Sequence, residues 1–351
     1  MKKIGLVLAL VFALFSISMV FAQDATPEAV DRTGWPETFI IGVYPGDNLE
    51  AAIASNQPLA DYLTETLGVR TVIITGTSYT AVIEAMRAGR ADGFEVGPFS
   101  YVLAAQEANA EALVVASSLN SPTLESVANL PTDFAPGYFS VMFTLKGSGI
   151  ASVADLEGHS FAFTDPASTS GYLIPATDLM TSMGFTDPAQ IETFVSPVFA
   201  GNHPAAVLAV QNGTTDAGAT FDGNLVAQAQ AGQIQLCGYN PDTNEFPYLA
   251  AMTQDEIDAI YNDCPDGSIV VFHQSPLIPQ TPFAINSALP QSFKDAVKAA
   301  LLDVVNHPEL TVALARYYVD PSTLLGLDSL DAYYNPLRDT ATLLRMDLSA
   351  R

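Results

Sequence analysis

The densest chemistry in the chain lies between Asp165 and Pro175. Three consecutive hydroxyl residues, Ser168, Thr169 and Ser170, precede Gly171 and an apolar run that reads as a helix from Tyr172 to Met183. The first turn of a helix leaves backbone N–H groups without partners, and the macrodipole adds about half a positive charge there. Hydroxyls beside those amides supply further donors. Such a turn can hold a tetrahedral oxyanion without lysine or arginine. Read alone, Ser-Thr-Ser can also be a simple N-cap that satisfies the helix's own donors.

The surrounding elements must place that turn at a cleft. A strand-like run, residues 160–164, leads straight into it. Upstream, strands at 39–43, 72–75, 93–96 and 112–117 alternate with helices at 49–67, 79–88 and from Pro98 through Ala108, with Gly68 and Gly89 as stops. This alternation predicts a parallel sheet with helices on both faces. The grammar restarts after Pro136. A β-rich run at 138–145 and a short helical turn near 154–158 precede the 160–164 strand. A strand at 192–198, a helix at 204–211 and a strand at 216–221 follow. Ile269–Phe272 leads into Ser275–Pro279, residues 283–285 read as a strand, and helices at 292–305 and 310–318 close the chain. Two blocks of α/β grammar predict two lobes, with ligands at strand carboxyl ends and helix N-termini.

Lys2 and Lys3 precede an apolar run, Ile4–Val20, and Val20-Phe21-Ala22 offers a cleavage site. Residues 1–22 are expected to be a signal peptide. A membrane helix is the rival reading, but the run is short and no basic flank follows. Residues 23–36 are expected to be a flexible leader. The 329 residues left after cleavage exceed one ordinary core, and the net charge goes from −25 to −27 because both lysines are lost. Such an acidic chain repels nucleic acid and anionic membranes, which are set aside as partners. Screening over about 8–10 Å leaves local dipoles to decide binding inside a cleft. Cys237 and Cys264 form the only possible pair, a disulfide in an oxidising compartment or two buried thiols otherwise. His159, His203, His273 and His307 are scattered, so no metal or other cofactor is expected.

The chain resembles the phosphate/phosphite/phosphonate substrate-binding proteins of ABC importers. The matching segments stand in the family's order over nearly all of the mature chain. They include Ile41–Pro45, Pro58–Leu63, Ser78-Tyr79, Gly89–Asp92 with Gly97-Pro98, Gly137–Ser140, Asp165–Pro175, Gly201–His203 with Leu208–Gly213, Asp216–Ala219 and Ser275–Pro279. The resemblance implies an α/β, two-lobed type II periplasmic binding protein (Venus-flytrap) with a ligand cleft between lobes. Lobe 1 would hold residues 37–136 plus 275–351, and lobe 2 residues 137–274. It implies a monomer that captures a phosphorus oxyanion outside the cytoplasm and delivers it to an ABC permease. It also implies that Tyr79, Ser168, Thr169, Ser170 and His203 hold the PO₃ head, Tyr79 reaching it from the lobe opposite the triplet.

Two positions depart from many relatives. Thr281 stands where an acid often follows the Ser275–Pro279 segment, and Val96 where an aromatic often precedes Gly-Pro. Thr281 would make aminoethylphosphonate a poor ligand. Asp222, at a strand end, could replace the missing acceptor or be an ordinary turn residue. A carboxylate acceptor would select ligands that keep a proton, such as monoprotonated phosphate, phosphite or phosphonate, over sulfate. A phosphatase or phosphonatase would need a metal cluster or an activated nucleophile, and Ser168 has no base at a predictable spacing. A sensory module for a receptor kinase would share the same fold.

Overall fold

The computed structural model describes residues 31–44, 46 and 48–346. The expected signal peptide, most of the leader and Pro45 lie outside these residues. Among the described residues no helix is long and apolar enough to cross a membrane.

In chain order the elements are β1 (Thr38–Val43), α1 (Leu49–Leu67), β2 (Arg70–Thr75), α2 (Tyr79–Arg87), β3 (Gly93–Glu95), α3 (Pro98–Glu107) and β4 (Ala110–Ser118). Next come β5 (Gly137–Tyr138), β6 (Ser140–Leu145), β7 (Ser160–Phe163), α4 (Ile174–Met183), α5 (Ala189–Phe194), β8 (Ser196–Phe199), α6 (His203–Gln211), β9 (Ala217–Phe221), α7 (Asp222–Gln230) and α8 (Gln254–Asp263). The chain finishes with β10 (Ile269–Gln274), β11 (Ile278–Pro279), β12 (Pro282–Asn286), α9 (Gln291–Asp303), α10 (Pro308–Leu314), β13 (Arg316–Val319), α11 (Ser322–Leu325) and α12 (Asn335–Leu343).

Local chemistry sets the boundaries. Asn48 caps α1 by accepting the Ala51 amide, and Gly68 ends it in the left-handed region at φ 64°. Ser78 caps α2 and Asn202 caps α6 in the same way. The strands form a six-stranded sheet, β13-β4-β12-β3-β1-β2, and a five-stranded sheet, β10-β6-β9-β7-β8. Neither is purely parallel, which corrects the sequence reading. β1 runs parallel to β2 and β3, but β12 is antiparallel to both β3 and β4 because it returns from the other unit. β6 is antiparallel to β9 and β10 for the same kind of reason.

Two further readings change. The strand expected at 192–198 is the end of α5 followed by β8, since Pro188 starts a short helix whose Ile191 and Phe194 face the core. The closing helix expected at 310–318 stops at Leu314. Ala315 takes φ 50°, and Arg316–Val319 becomes an edge strand paired with β4.

Phe39, Leu59, Leu63, Phe283, Phe293 and Tyr318 form one core around the larger sheet, and Val141, Phe143, Val207, Leu225 and Val271 another on the smaller. A third cluster runs through both units and joins Phe94 and Phe99 to Phe161, Phe163 and Leu173. Helix α12 packs on both α3 and α4, and Arg345 donates to Asp187 at 2.8 Å, so the C-terminal segment touches both units. Trp35 lies edge-on to Phe293 and donates to Ser292 at 3.0 Å.

Cys237 and Cys264 form the disulfide, with Cα atoms 5.7 Å apart. It closes a loop of sequence separation 27, which contains α8. Loop-closure entropy for that length is worth about 3 kcal/mol. Replacing both cysteines by serine is therefore expected to lower the melting temperature by about 5 °C. A scan showing no shift would remove the bridge from the stability of this unit.

Candidate functional site

The backbone after β7 builds the cradle. Asp165 accepts the Ala167 amide at 2.8 Å, an Asx turn that reverses the chain beyond the strand. Residues 169–173 then form a π-turn before α4, with the Leu173 amide donating to the Ser168 carbonyl at 3.1 Å and the Ile174 amide to Thr169. The wider turn belongs to a class that clusters at functional sites. It leaves the opening amides of Thr169 and Ser170 without helical acceptors. Ser168 Oγ accepts the Gly171 amide at 3.1 Å.

Gly171 makes this turn possible. A Cβ there would lie 1.9 Å from Thr164 Oγ1 and 2.7 Å from Thr164 Cβ. The turn is pressed onto the end of β7, with the Thr164 amide donating to the Gly171 carbonyl at 3.0 Å. Only a residue without a side chain allows that approach.

A cavity of about 400 Å³ opens over the turn. All seven candidates from the sequence line it: Tyr79, Ser168, Thr169, Ser170, His203, Asp222 and Thr281. Val96 also lines it, as an apolar patch. Sequence reasoning did not assign a role to Tyr44, Tyr138 or Gln280, which line it too. Tyr44 follows β1 directly, so the rule that ligands gather at strand carboxyl ends could have found it. Tyr138 sits on a two-residue strand with no periodicity to read.

Among the described residues no lysine or arginine lines the cavity. His203 does not supply a cation either, because burial pushes its pKa down to about 3. Its Nδ1 lies 2.9 Å from Thr220 Oγ1 and its Nε2 3.3 Å from Ser168 Oγ. Thr220 Oγ1 already accepts the Asn224 amide at 3.0 Å. The network is satisfied when Thr220 donates to Nδ1 and the ring proton sits on Nε2, facing the Ser168 end of the cavity. Tyr79 is buried, with its pKa raised well above the usual phenol value by burial, so it remains a neutral donor. Tyr138 is likewise raised by burial, with the Thr169 and Ser170 hydroxyls offsetting part of that rise.

Asp222 differs from these groups. It is 5% exposed, and burial raises its pKa to about 7 although Gly223 and Phe139 donate to it. The Gly223 amide is 2.7 Å from Oδ1 and the Phe139 amide 3.2 Å from Oδ2. Two amides and no cation leave its charge only partly compensated.

The two units also bond directly across the cleft. The Phe99 amide, at the start of α3, donates to Thr169 Oγ1 at 2.9 Å. Ser100 Oγ donates to the Ala167 carbonyl at 2.8 Å, and the His203 amide lies 3.4 Å from the Tyr44 hydroxyl. Thr169 thus accepts from the opposite unit and keeps its own O–H to donate.

Fold and cleft together define a type II periplasmic binding protein. The chain belongs to the ABC transporter, phosphonate, periplasmic substrate-binding protein family, whose model matches residues 41–323. It is 31% identical over 201 residues to the phosphate-import protein PhnD of Mycolicibacterium smegmatis, covering 56% of this chain and 59% of that protein. It is 24% identical over 265 residues to the phosphonates-binding periplasmic protein of Escherichia coli K12, covering 74% and 64%. The matches thus span 59% and 64% of these two curated relatives. Among solved structures, PhnD1 from Prochlorococcus marinus in complex with methylphosphonate superimposes with a TM-score of 0.62 at 16% identity, covering 89% of this chain and 99% of that one. A binding protein component of an ABC phosphonate transporter from Pseudomonas aeruginosa gives 0.59 at 18% identity, covering 88% and 93%.

Proposed function

We propose that this protein captures a phosphorus oxyanion (phosphonate, phosphite or phosphate) outside the cytoplasm and delivers it to an ABC importer without transforming it. One observation carries the reading. A buried turn of hydroxyls and free amides faces a cavity lined by neutral donors and one high-pKa carboxyl. That set suits an anion which itself carries a proton. The family and the names of its relatives support the same class of ligand. Residues 1–22 would direct export and be cleaved. Residues 37–136 with 275–351, and residues 137–274, would act as two lobes of a monomer that close on the ligand. The short β5–β11 ribbon lies where the chain passes between them.

In this reading Ser168, Thr169, Ser170, His203 and Tyr79 hold the PO₃ head. Ser170→Ala and His203→Ala are each expected to weaken binding by about 1–3 kcal/mol, or roughly ten- to a hundredfold. A thermal-shift panel of phosphate, phosphite, methylphosphonate and sulfate identifies a binder, since occupancy raises stability with concentration over Kd. Calorimetric titration of that binder then measures both variants. Unchanged affinity in both would move the site elsewhere, and no shift with any phosphorus oxyanion would overturn the function.

A further inference from the structure

Among the described residues two carboxyls line the cavity, Asp222 on one unit and Glu95 on the other, and no lysine or arginine shares that lining with them. An anion binds between them only where both charges are answered. Asp222 holds its proton up to about pH 7. Glu95 is answered from behind. It ends β3, and its carbonyl accepts the Tyr44 amide at 3.1 Å, so the two residues form one piece of wall. Both line the cleft, and both also line a second cavity of about 410 Å³ beside the first turns of α1. The Tyr44 ring centroid stands 5.1 Å from that of Tyr79 and 6.1 Å from that of His203. Glu95 is thus joined through a single neighbour to two of the donors proposed above.

The answering cation is Arg316. It opens β13, three strands away from β3 in the order β13-β4-β12-β3. Ala315, at φ 50°, turns the chain out of α10 into that strand. Arg316 reaches back along the sheet, and its Nε lies 2.9 Å from Glu95 Oε1. The Tyr318 hydroxyl accepts from the same Nε at 2.9 Å and donates to Glu95 Oε2 at 2.8 Å. A further guanidinium N–H donates to Asn56 of α1 at 2.6 Å. Arg316 lines the second cavity and not the cleft. The two side chains are 13% and 11% exposed, so water screens the pair only weakly. Burial works against the Arg316 charge, but Glu95 and Tyr318 hold its pKa above the ordinary value. A buried ion pair adds little stability over an apolar pair of the same shape, so packing alone does not call for a cation here. An anion site in front of Glu95 does.

We propose that Arg316 is a positioning residue of the anion site: from behind the wall, and through Glu95, it cancels a carboxylate that would otherwise repel the ligand. This rests on the reading of the cleft as an oxyanion site. The test is calorimetric titration with methylphosphonate and with inorganic phosphate of the parent chain, Glu95→Gln, Arg316→Met and the double variant. Arg316→Met leaves the Glu95 charge unanswered and is expected to weaken binding about ten- to a hundredfold. Glu95→Gln, close to the parent in shape, frees the cation and is expected to tighten binding about threefold or more. The double variant carries neither charge and is expected to return to within about threefold of the parent. A pair that only staples β13 to the sheet gives a different pattern: both single variants weaken binding and the double variant recovers nothing. That pattern, or a Glu95→Gln affinity no better than the parent's, overturns the proposal. Glu95→Gln reads the sign by itself even where Arg316→Met fails to fold. A parent chain that binds neither anion, nor phosphite, overturns the oxyanion reading and this role with it.

Discussion

A methyl group at Gly171 is expected to abolish oxyanion binding while most of the fold persists. Its Cβ would meet three side-chain atoms of Thr164 between 1.9 and 2.7 Å, and Thr164 is itself fully buried at the end of β7. Neither partner can rotate out of the way, so the π-turn must lift off the strand. Overpacking of this kind costs about 1–3 kcal/mol, occasionally more. The turn also carries Ser168, Thr169 and Ser170, and displacing it misplaces several donors together. With each buried hydrogen bond worth about 1–3 kcal/mol, Gly171→Ala should lower affinity at least about a hundredfold. Titration with methylphosphonate, alongside circular dichroism to verify folding, checks this. Affinity within threefold of the parent in a folded variant would show that the turn is not the site.

The second large effect concerns pH and Asp222. An acid whose pKa rises from 3.8 in the unfolded chain to about 7 in the fold keeps its proton where the unfolded chain has lost it. Folding stability from this group is therefore greatest at low pH and declines as pH rises from about 4 to about 7, then levels off. Three units correspond to on the order of 4 kcal/mol. Asp222→Asn removes that decline, so the variant should gain on the parent by several degrees in melting temperature between pH 5 and pH 8. Ligand selectivity should follow the same titration. Below pH 7 the protonated carboxyl can donate to sulfate; above it the carboxylate repels sulfate but still accepts the proton of a monoprotonated phosphonate. Sulfate affinity should then fall about tenfold from pH 6 to pH 8, and Asp222→Asn should flatten that profile. A parent profile already flat would place Asp222 away from the ligand.

The legible parts of this molecule were those whose cause is local. The cradle announced itself because a hydroxyl run, a glycine and a following apolar helix are contiguous. The helix stops at Gly68 and Gly89, both in the left-handed region, were readable for the same reason. The mixed sheets were not, because the direction of β12 depends on a chain that returns after all five strands of the smaller sheet. Arg316–Val319 read as helix because nothing in its residues signals that Ala315 turns left-handed. Helix α7 was missed because Asp222-Gly223-Asn224 looks like a turn. Tyr138 and Gln280 lie on two-residue strands or at their edges, and their cavity position comes from how two sheets face each other.

The contacts that join the two units have a consequence for unloading. Phe99 to Thr169 and Ser100 to Ala167 are bonds from protein to protein, so they use none of an occupant's atoms. On the proposed reading, parting the jaws around an occupant would mean breaking these bonds as well as the occupant's own. Escape would then be slower than the cargo's own contacts dictate, and a body that prises the halves asunder would hasten it.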